Sequence, residues 1–399
     1  MAGEGSADKR DRENRSLNPA QTQKRRRDEA CEALDAFETP VVFSRRKKRM
    51  VDAPIDGDRA SAGTPHDSWL SLSVAKSTPP TLAPSLQTVA RRLTPAVIGR
   101  NPFAVLAKER PSSSLPPGFF NIGNSCYLAS VVQCLLGVGP FVGEIVRLAA
   151  AGRGGPVTRA LCDVLEEIKG RKGETLRLDG LKAALAASKQ GALFAGYRQR
   201  DAHEAFLKIL EALQVEHGGS YRCPFSHGVE IKFECEACGH TARIEEHGHL
   251  NVTLGVGASA ASGGGGVLRA LGRTTERITK DCERCGGKHH RRTSLVTRMP
   301  RLLVVQMMRF EFSAGVVKKV DDEFAVEKTV NIAPDGSKKF ELRGVVHHHG
   351  QYGHCGHYDA QVMRGSLWYR MNDATVSPKT DADVLRPSRT AYLIFYELV

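Results

Sequence analysis

The chain has 399 residues, a formal net charge of +13 and 41% hydrophobic residues, which allows one large domain or two of ordinary size. No run reaches the roughly 18 apolar residues of a membrane span, and the charged N-terminus has no apolar signal segment. Ten cysteines in such a chain indicate a reducing compartment, where paired cysteines are typical of metal sites. The positive charge favours acidic partners, nucleic acid or solubility without choosing between them.

Residues 1–112 are predicted to be a disordered basic tail, because charged residues, Ser, Thr, Pro and Ala dominate them and no apolar period is long enough for a core. Two basic clusters lie in this tail, residues 24–27 (KRRR) and residues 45–49 (RRKKR). Such runs favour binding to a nuclear-import receptor or to nucleic acid, and the alternative is a solvated tail of mixed charge. We expect a location in the nucleus or cytoplasm, with the nucleus favoured.

Residues 118–136 read GFFNIGNSCYLASVVQCLL. Apolar residues after position 126 recur at the spacing of one helix face, and Asn124 and Ser125 are types that cap a helix. Cys126 then lies in the first turn, where unpaired N–H groups and the helix dipole stabilise a thiolate. The alternative is a buried core cysteine. Asn121 lies just upstream, where a side-chain amide can donate to an oxyanion.

Residues 141–215 carry apolar residues at helical spacing, with glycine-rich breaks between helices predicted over 141–151, 157–169 and 178–189. A further helix is predicted to open at residues 199–207 and to run to residue 213. Two Cys-x-x-Cys-Gly pairs follow, 43 residues apart, and together they offer four thiolates to one tetrahedral, structural zinc ion. Their cysteines are Cys235, Cys238, Cys282 and Cys285. The alternative is four unrelated thiols.

Residues 302–312 are predicted to form one long central strand, and further strands are predicted over 318–332, 340–346 and 391–397. A glycine-rich turn enters a strand at 350–362, and a second strand covers 368–376. A hairpin joining these two strands brings His357 beside Asn372. The order Cys, His, Asn is that of papain-like proteases. Other histidines compete as the base, and a histidine-rich tract alone is typical of a weak metal site or a solvated loop: His347, His348, His349 and His354.

Three of these stretches resemble sequence boxes of the ubiquitin-specific proteases. Residues 118–136 are similar to the cysteine box Gly-Leu-x-Asn-x-Gly-Asn-Thr-Cys-Tyr-x-Asn-Ser-x-x-Gln-x-Leu, with departures at Phe119, Ser125 and Ala129. Residues 199–206 (QRDAHEAF) resemble the box Gln-Gln-Asp-Ala-x-Glu-Phe, and His203 is not its base. Residues 356–360 (GHYDA) and 368–376 (WYRMNDATV) resemble the histidine box, which favours His357 over the other histidines. The resemblance covers residues 113–399.

The resemblance implies an α+β, papain-like cysteine peptidase with a helical thumb, a β palm and zinc-bearing β fingers at about 222–313. It implies hydrolysis of isopeptide or peptide bonds after the C-terminal glycine of ubiquitin, through an acyl-enzyme. Ubiquitin and ubiquitinated proteins are then the expected partners, and neither nucleic acid nor a membrane is required. The implied catalytic residues are Cys126, His357, Asn372, Asn121 and Asp373. The implied substrate-binding residues are Gln199, Asp201 and Tyr358.

Two other functions remain open at this stage. One is a ubiquitin-binding module without catalysis, against which the intact Cys126, His357 and Asn372 argue. The other is a zinc-ribbon protein that binds nucleic acid through a basic arm. The long spacing between the cysteine pairs and the few aromatic residues near them argue against it. A ubiquitin-like modifier in place of ubiquitin is also compatible with the sequence.

Overall fold

The computed structural model describes residues 115–152, 154–171, 173–189, 191–256, 273–313, 316–332, 338–350 and 356–399. The predicted tail, its two basic clusters and His354 lie outside the described residues, so the proposed tail boundary at residue 112 stays a prediction. Within the described ranges no single helix is long and apolar enough to cross a membrane, and the helix pair that passes the test together is bent by 89°.

The first half of the described chain is helical, as its sequence predicts. Its helices are α1 (Cys126–Leu135), α2 (Gly139–Ala150), α3 (Pro156–Gly170), α4 (Asp179–Ala186) and α5 (Ala202–His217), and a short helix, α6 (Asp381–Leu385), follows much later. Helix α1 ends at Leu135, just before Gly137. Gly139 and Pro140 begin α2, because a proline in the first turn lacks only an N–H that would have no helical partner.

Helix α1 is the centre of the helical half. All ten of its residues are buried, although only one face is apolar in sequence. The buried Gln133 side chain donates through Nε2 to the carbonyl oxygen of Pro117 at 3.1 Å. The Ser130 hydroxyl donates to the carbonyl oxygen of Tyr127. These hydrogen bonds thus allow the polar side of α1 to be buried between helices and sheet.

The second half is mostly β structure. The strands are β1 (Gly118–Phe119), β2 (Thr175–Leu176), β3 (His227–Cys235), β4 (Thr241–His249), β5 (Val252–Gly255), β6 (Arg273–Thr279), β7 (His289–Arg298), β8 (Leu302–Met308), β9 (Phe310–Ser313), β10 (Val316–Lys319), β11 (Thr329–Asn331), β12 (Lys339–His349), β13 (His357–Arg364), β14 (Leu367–Asn372), β15 (Thr375–Lys379) and β16 (Ala391–Leu398). An eight-stranded sheet has the order β15-β14-β13-β12-β16-β8-β5, with β11 on β12. A separate four-stranded sheet has the order β4-β3-β7-β6.

The eight-stranded sheet has an apolar core on each face. Along β8, Val304 belongs to the core that the helices cover, whereas Leu303 and Val305 belong to the second core. Along β16, Leu393 and Ile394 divide between the two cores in the same way. Since strand side chains alternate between faces, burial of both faces explains the continuous apolar runs of these strands.

The strand predicted over 302–312 is interrupted at Arg309, which separates β8 from β9. The Arg309 side chain is fully buried. Its guanidinium donates to four backbone carbonyl oxygens at 2.8 to 3.2 Å, those of Val320, Asp322, Ser388 and Ala391. The single-strand prediction is therefore wrong at this residue, because the backbone turns to place the side chain among these carbonyls.

Candidate active site

Cys126 is the first residue of α1 and is buried. The loop before it, residues 120–125, turns through Gly123 and Asn124, whose φ angles are 86° and 52°. We name this segment the cysteine loop. Ser125 occupies the helix-cap position, but its hydroxyl makes no cap hydrogen bond and accepts from the N–H of Ile122 at 2.9 Å. The expected side-chain cap is therefore not formed, and the serine stabilises the cysteine loop instead.

The Asn121 amide is held at both ends of its side chain. Its Oδ1 accepts from the backbone N–H of Ser125 at 3.1 Å, and its Nδ2 donates to Oδ2 of Asp373 at 2.9 Å. One Nδ2 hydrogen is therefore used by the carboxylate, and the second remains for an acceptor in the site. The carboxylate also fixes which end of the amide is the donor.

His357 and Asn372 come together at the open end of the hairpin formed by β13 and β14. Nε2 of His357 lies 2.5 Å from Oδ1 of Asn372. Because the amide oxygen can only accept, Nε2 carries the proton and Nδ1 is the basic nitrogen. Nδ1 is buried and has no hydrogen-bond partner in the part of the chain that the structure describes. Helix α1, which Cys126 begins, packs directly on β13.

Asp373 follows Asn372 in the turn to β15 and has a φ angle of 51°. Its carbonyl oxygen accepts from the N–H of Phe119 at 2.9 Å, which ties the turn to β1 just before the cysteine loop. Its Oδ1 is buried and has no hydrogen-bond partner among the described atoms. The direct contact of Asp373 is with Asn121, so its geometry fits support of the oxyanion site.

The three predicted substrate-binding residues make hydrogen bonds that link different elements. Gln199 accepts at Oε1 from the N–H of Gly356 at 2.7 Å, directly before His357. Asp201 caps α5 by accepting from the N–H of Glu204, and its Oδ2 accepts from the hydroxyls of Tyr392 at 2.6 Å and Tyr358 at 3.3 Å. Burial raises the pKa of Tyr358 and Tyr392 well above 10, so both hydroxyls stay protonated donors. Contact of these residues with a substrate stays a prediction.

The histidines that precede the loop to His357 have partners of their own. His347 is buried between Thr390 and Gln361, and burial lowers its pKa to about 4. His349 lies 3.0 Å from Oδ2 of Asp359. His203, half-buried on α5, lies 3.1 Å from Oδ1 of Asn251. None of these three histidines has the hairpin partner that His357 has.

The four predicted zinc ligands converge at the tip of the four-stranded sheet. The sulfur atoms of Cys235, Cys238, Cys282 and Cys285 all lie within 4.8 Å of one another. The Sγ atoms of Cys235 and Cys285, and those of Cys238 and Cys282, are 3.7 Å apart. A tetrahedral zinc ion with Zn–S bonds of about 2.3 Å separates its sulfurs by about 3.8 Å. The four thiols therefore fit one zinc ion.

Each cysteine pair sits on the same kind of turn. The N–H of Gly239 donates to the carbonyl oxygen of Cys235 at 2.9 Å, and that of Gly286 to Cys282 at 2.8 Å. Both glycines have a φ angle of 69°, a conformation that residues with a Cβ rarely adopt. The glycine after each pair was therefore a true signal in the sequence, because it permits the turn that points both thiols inward.

A sequence model of the ubiquitin carboxyl-terminal hydrolase family matches residues 117–396. The chain belongs to this family. The match spans all three sequence boxes and the cysteine pairs, and the resemblance to the ubiquitin-specific proteases is confirmed.

Curated relatives and solved structures agree. The chain is 29% identical over 311 residues to ubiquitin carboxyl-terminal hydrolase 23 of Arabidopsis thaliana, covering 70% of this chain and 35% of that protein. It is 25% identical over 351 residues to ubiquitin carboxyl-terminal hydrolase 21 of Homo sapiens, covering 71% and 61%. A structure of the SAGA Ubp8/Sgf11/Sus1/Sgf73 DUB module bound to ubiquitin aldehyde matches with a TM-score of 0.58 at 21% identity, over 74% of each chain.

The structural match shows that this chain has the papain-like α+β fold of its neighbours. The helices correspond to the predicted thumb, the eight-stranded sheet to the palm, and the four-stranded sheet with the cysteine cluster to the fingers. The chain spans only 35% to 61% of the length of the curated relatives named above. The sequence prediction missed Tyr392, which donates to Asp201, and Lys319, which donates to the carbonyl oxygen of Gly350, because these partners come from distant segments.

Proposed function

We propose that this chain is a cysteine-type deubiquitinase, which hydrolyses isopeptide or peptide bonds after the C-terminal glycine of ubiquitin. The observation that carries the proposal is the 2.5 Å contact between His357 and Asn372 on a hairpin packed against the helix that Cys126 begins. Family membership supports the substrate class, since the relatives are named as ubiquitin hydrolases and a neighbouring structure is bound to ubiquitin aldehyde.

In the proposed reaction, Nδ1 of His357 takes the proton of the Cys126 thiol, and the thiolate attacks the carbonyl carbon of the last glycine. The new oxyanion accepts hydrogen bonds from the backbone N–H of Cys126 and the second Nδ2 hydrogen of Asn121. Asp373 keeps that amide in place through its 2.9 Å contact. The tetrahedral intermediate collapses, the C–N bond breaks, and His357 gives its proton to the leaving amine.

Hydrolysis of the acyl-enzyme then repeats these roles. His357 takes a proton from a water molecule, the hydroxide adds to the thioester carbonyl, and the same donors hold the oxyanion. The intermediate expels the Cys126 sulfur, which regains the proton from His357. Asn372 keeps Nε2 protonated throughout, so that Nδ1 stays the basic nitrogen.

The cysteine cluster is proposed to bind one structural zinc ion. When bound, zinc would join the turn between β3 and β4 to the residues between β6 and β7, and it would supply stability rather than chemistry. Cys235 and Cys282 are buried, whereas Cys238 and Cys285 are exposed. The fingers sheet could then present a fixed surface to the body of ubiquitin.

Nuclear location remains a separate proposal. The clusters at residues 24–27 and 45–49 would bind an import receptor through their positive charge. Replacing either cluster by alanines in a fluorescent fusion should shift the protein toward the cytoplasm. An unchanged distribution after replacing both would contradict the proposal.

The deciding experiment is covalent capture by ubiquitin that carries an electrophile at its C-terminus. The wild-type protein should form an adduct, and Cys126→Ala should not. Cys134→Ala is the matched control, because Cys134 lies on the same helix, is buried, and has a pKa that burial raises to about 12. It should react like wild type. Failure of folded, zinc-loaded wild-type protein to form any adduct would exclude the proposed activity on ubiquitin.

A further inference from the structure

The connection between β12 and β13 leads into His357, and its two described ends are Gly350 and Gly356. Each end is held by a side chain from a different part of the chain. Lys319 on β10 contacts the first end, and Gln199, just before α5, contacts the second. Neither side chain belongs to the hairpin that carries His357 and Asn372.

At the first end, Nζ of Lys319 donates to the carbonyl oxygen of Gly350 at 2.7 Å and to that of His348 at 3.3 Å. Only 6% of the Lys319 side chain is exposed, and its nearest carboxylate oxygen, on Asp321, is 3.7 Å away. Lysine is seldom buried without such partners, since its charge must be compensated. The amine is therefore held by backbone carbonyl oxygens at the end of β12.

At the second end, Oε1 of Gln199 accepts from the N–H of Gly356 at 2.7 Å. Its Nε2 reaches Oδ1 of Asn124 in the cysteine loop at 3.5 Å, and Nδ2 of Asn124 donates to the carbonyl oxygen of Tyr197 at 2.9 Å. Residues 197–199 therefore contact both the cysteine loop, two residues before Cys126, and the residue immediately before His357.

Gly356 itself packs closely between Gln199 and β12. A Cβ built on Gly356 would overlap the carbonyl oxygen of His349 and lie 2.5 Å from Nε2 of His348. The backbone at Gly356 therefore approaches β12 more closely than any other residue type allows. A small shift of this residue would change the direction in which the chain enters His357.

We propose that Gln199 and Lys319 are positioning residues, which hold the two ends of this connection and thereby set the separation of Cys126 from His357. The inference rests on the proposed function, in which the Cys126 thiol gives its proton to the His357 imidazole. Proton transfer needs the sulfur and the imidazole within hydrogen-bond reach. A displacement of about 1 Å can lower a catalytic rate by about 100-fold. Neither residue needs to touch the substrate.

The test compares Gln199→Met and Lys319→Met, which keep side-chain length but lose the polar contacts. Two matched controls remove the same groups elsewhere. Gln214→Met loses a 2.8 Å bond to the carbonyl oxygen of Gly218, and Lys328→Met loses a surface ion pair with Asp381. With a fluorogenic ubiquitin amide, we expect kcat to fall about 10- to 100-fold in the first two variants, with KM within about threefold. The controls should match wild type within about twofold.

A second readout does not involve ubiquitin. The rate at which iodoacetamide alkylates Cys126 is followed against pH by mass spectrometry of the peptide containing it. In wild type the imidazole should give a reactive thiolate near neutral pH, whereas Gln199→Met and Lys319→Met should need a higher pH for the same rate. Gln199→Glu keeps the acceptor for the N–H of Gly356 and should recover part of the loss. Lys319→Arg keeps a charged donor and should do the same.

The outcomes separate the two proposals. Wild-type protein that forms no ubiquitin adduct contradicts the proposed function, and the alkylation profiles still decide the positioning role. Unchanged kcat and unchanged profiles in both methionine variants would overturn that role. A rise in KM at constant kcat for Gln199→Met would also overturn it, because it would assign Gln199 to substrate binding. Equal melting temperatures for variants and controls exclude general unfolding, and if Lys319→Met does not fold, Lys319→Arg and the Gln199 variants decide.

Discussion

The amide oxygen of Asn372 decides which nitrogen of His357 carries the proton. An acceptor 2.5 Å from Nε2 holds the proton there without adding a negative charge to the site. The same logic applies to Asn121, whose orientation is set by the Asp373 carboxylate. The Asn121 amide can donate into the site only because this carboxylate fixes its direction.

Asn372→Ala should therefore lower kcat by roughly 100-fold, because the imidazole loses the partner that fixes its tautomer and orientation. Asn372→Asp keeps an oxygen acceptor at this position and should stay within about tenfold of wild type. Steady-state hydrolysis of a ubiquitin amide measures both variants. Equal activity in the alanine variant and wild type would exclude Asn372 from the catalytic residues.

His347 should make stability depend on pH. Burial lowers its pKa to about 4 from an ordinary value of 6.5, so the unfolded chain binds a proton in this range that the folded chain does not. The free energy of unfolding should thus be highest above pH 6.5 and should fall as the pH drops toward 4, by up to about 3 kcal/mol from this residue.

Urea unfolding at several pH values measures this slope. His347→Gln keeps polar contacts to Thr390 and Gln361 within reach but cannot take up a proton, so its slope between pH 6.5 and 4 should be shallower. Gln214→Met, which removes no titratable group, is the control and should keep the wild-type slope. A slope that His347→Gln leaves unchanged would assign the pH dependence to other groups.

At the scale of elements, sequence periodicity predicted the helices α1 to α5 within a few residues, because each buries an apolar face of regular spacing. The hairpin of β13 and β14 was predicted from strand patterns and from the resemblance. The break at Arg309 was not predictable, since two of its four acceptors, on Ser388 and Ala391, lie 79 and 82 residues away along the chain. Periodicity reports which face is buried and says nothing of a buried cation that bends a strand.

The four cysteines of the fingers can be recognised directly in the sequence. Cys238→Ser should remove one zinc ligand and lower the zinc content below one ion per chain. It should also destabilise the two cysteine turns, between β3 and β4 and between β6 and β7. Zinc content by atomic spectroscopy and thermal unfolding measure this outcome. Cys223→Ser, outside the cluster, is the control and should retain zinc. Full zinc content in Cys238→Ser would contradict the four-cysteine site.

At the scale of the molecule, the site residues and both cores lie within residues 115–399. A fragment of residues 113–399 should therefore fold and react with electrophilic ubiquitin at a rate within about threefold of the full chain. The capture assay and thermal unfolding measure this directly. An inactive or unfolded fragment would show that the preceding segment contributes to the catalytic domain.

The sequence by itself determined the family, the helical and β halves, the nucleophile candidate and the four thiols, because these depend on local spacing and on motifs read along the chain. The sequence also predicted His357 beside Asn372, and the tertiary structure showed that Nε2 is the nitrogen in contact. Only the tertiary structure decided that Asp373 meets Asn121, and that Gln199 and Lys319 contact the two ends of the connection before His357. Such contacts join residues far apart in the chain, and a hydrogen bond depends on distance and direction in space, which spacing along a sequence does not contain.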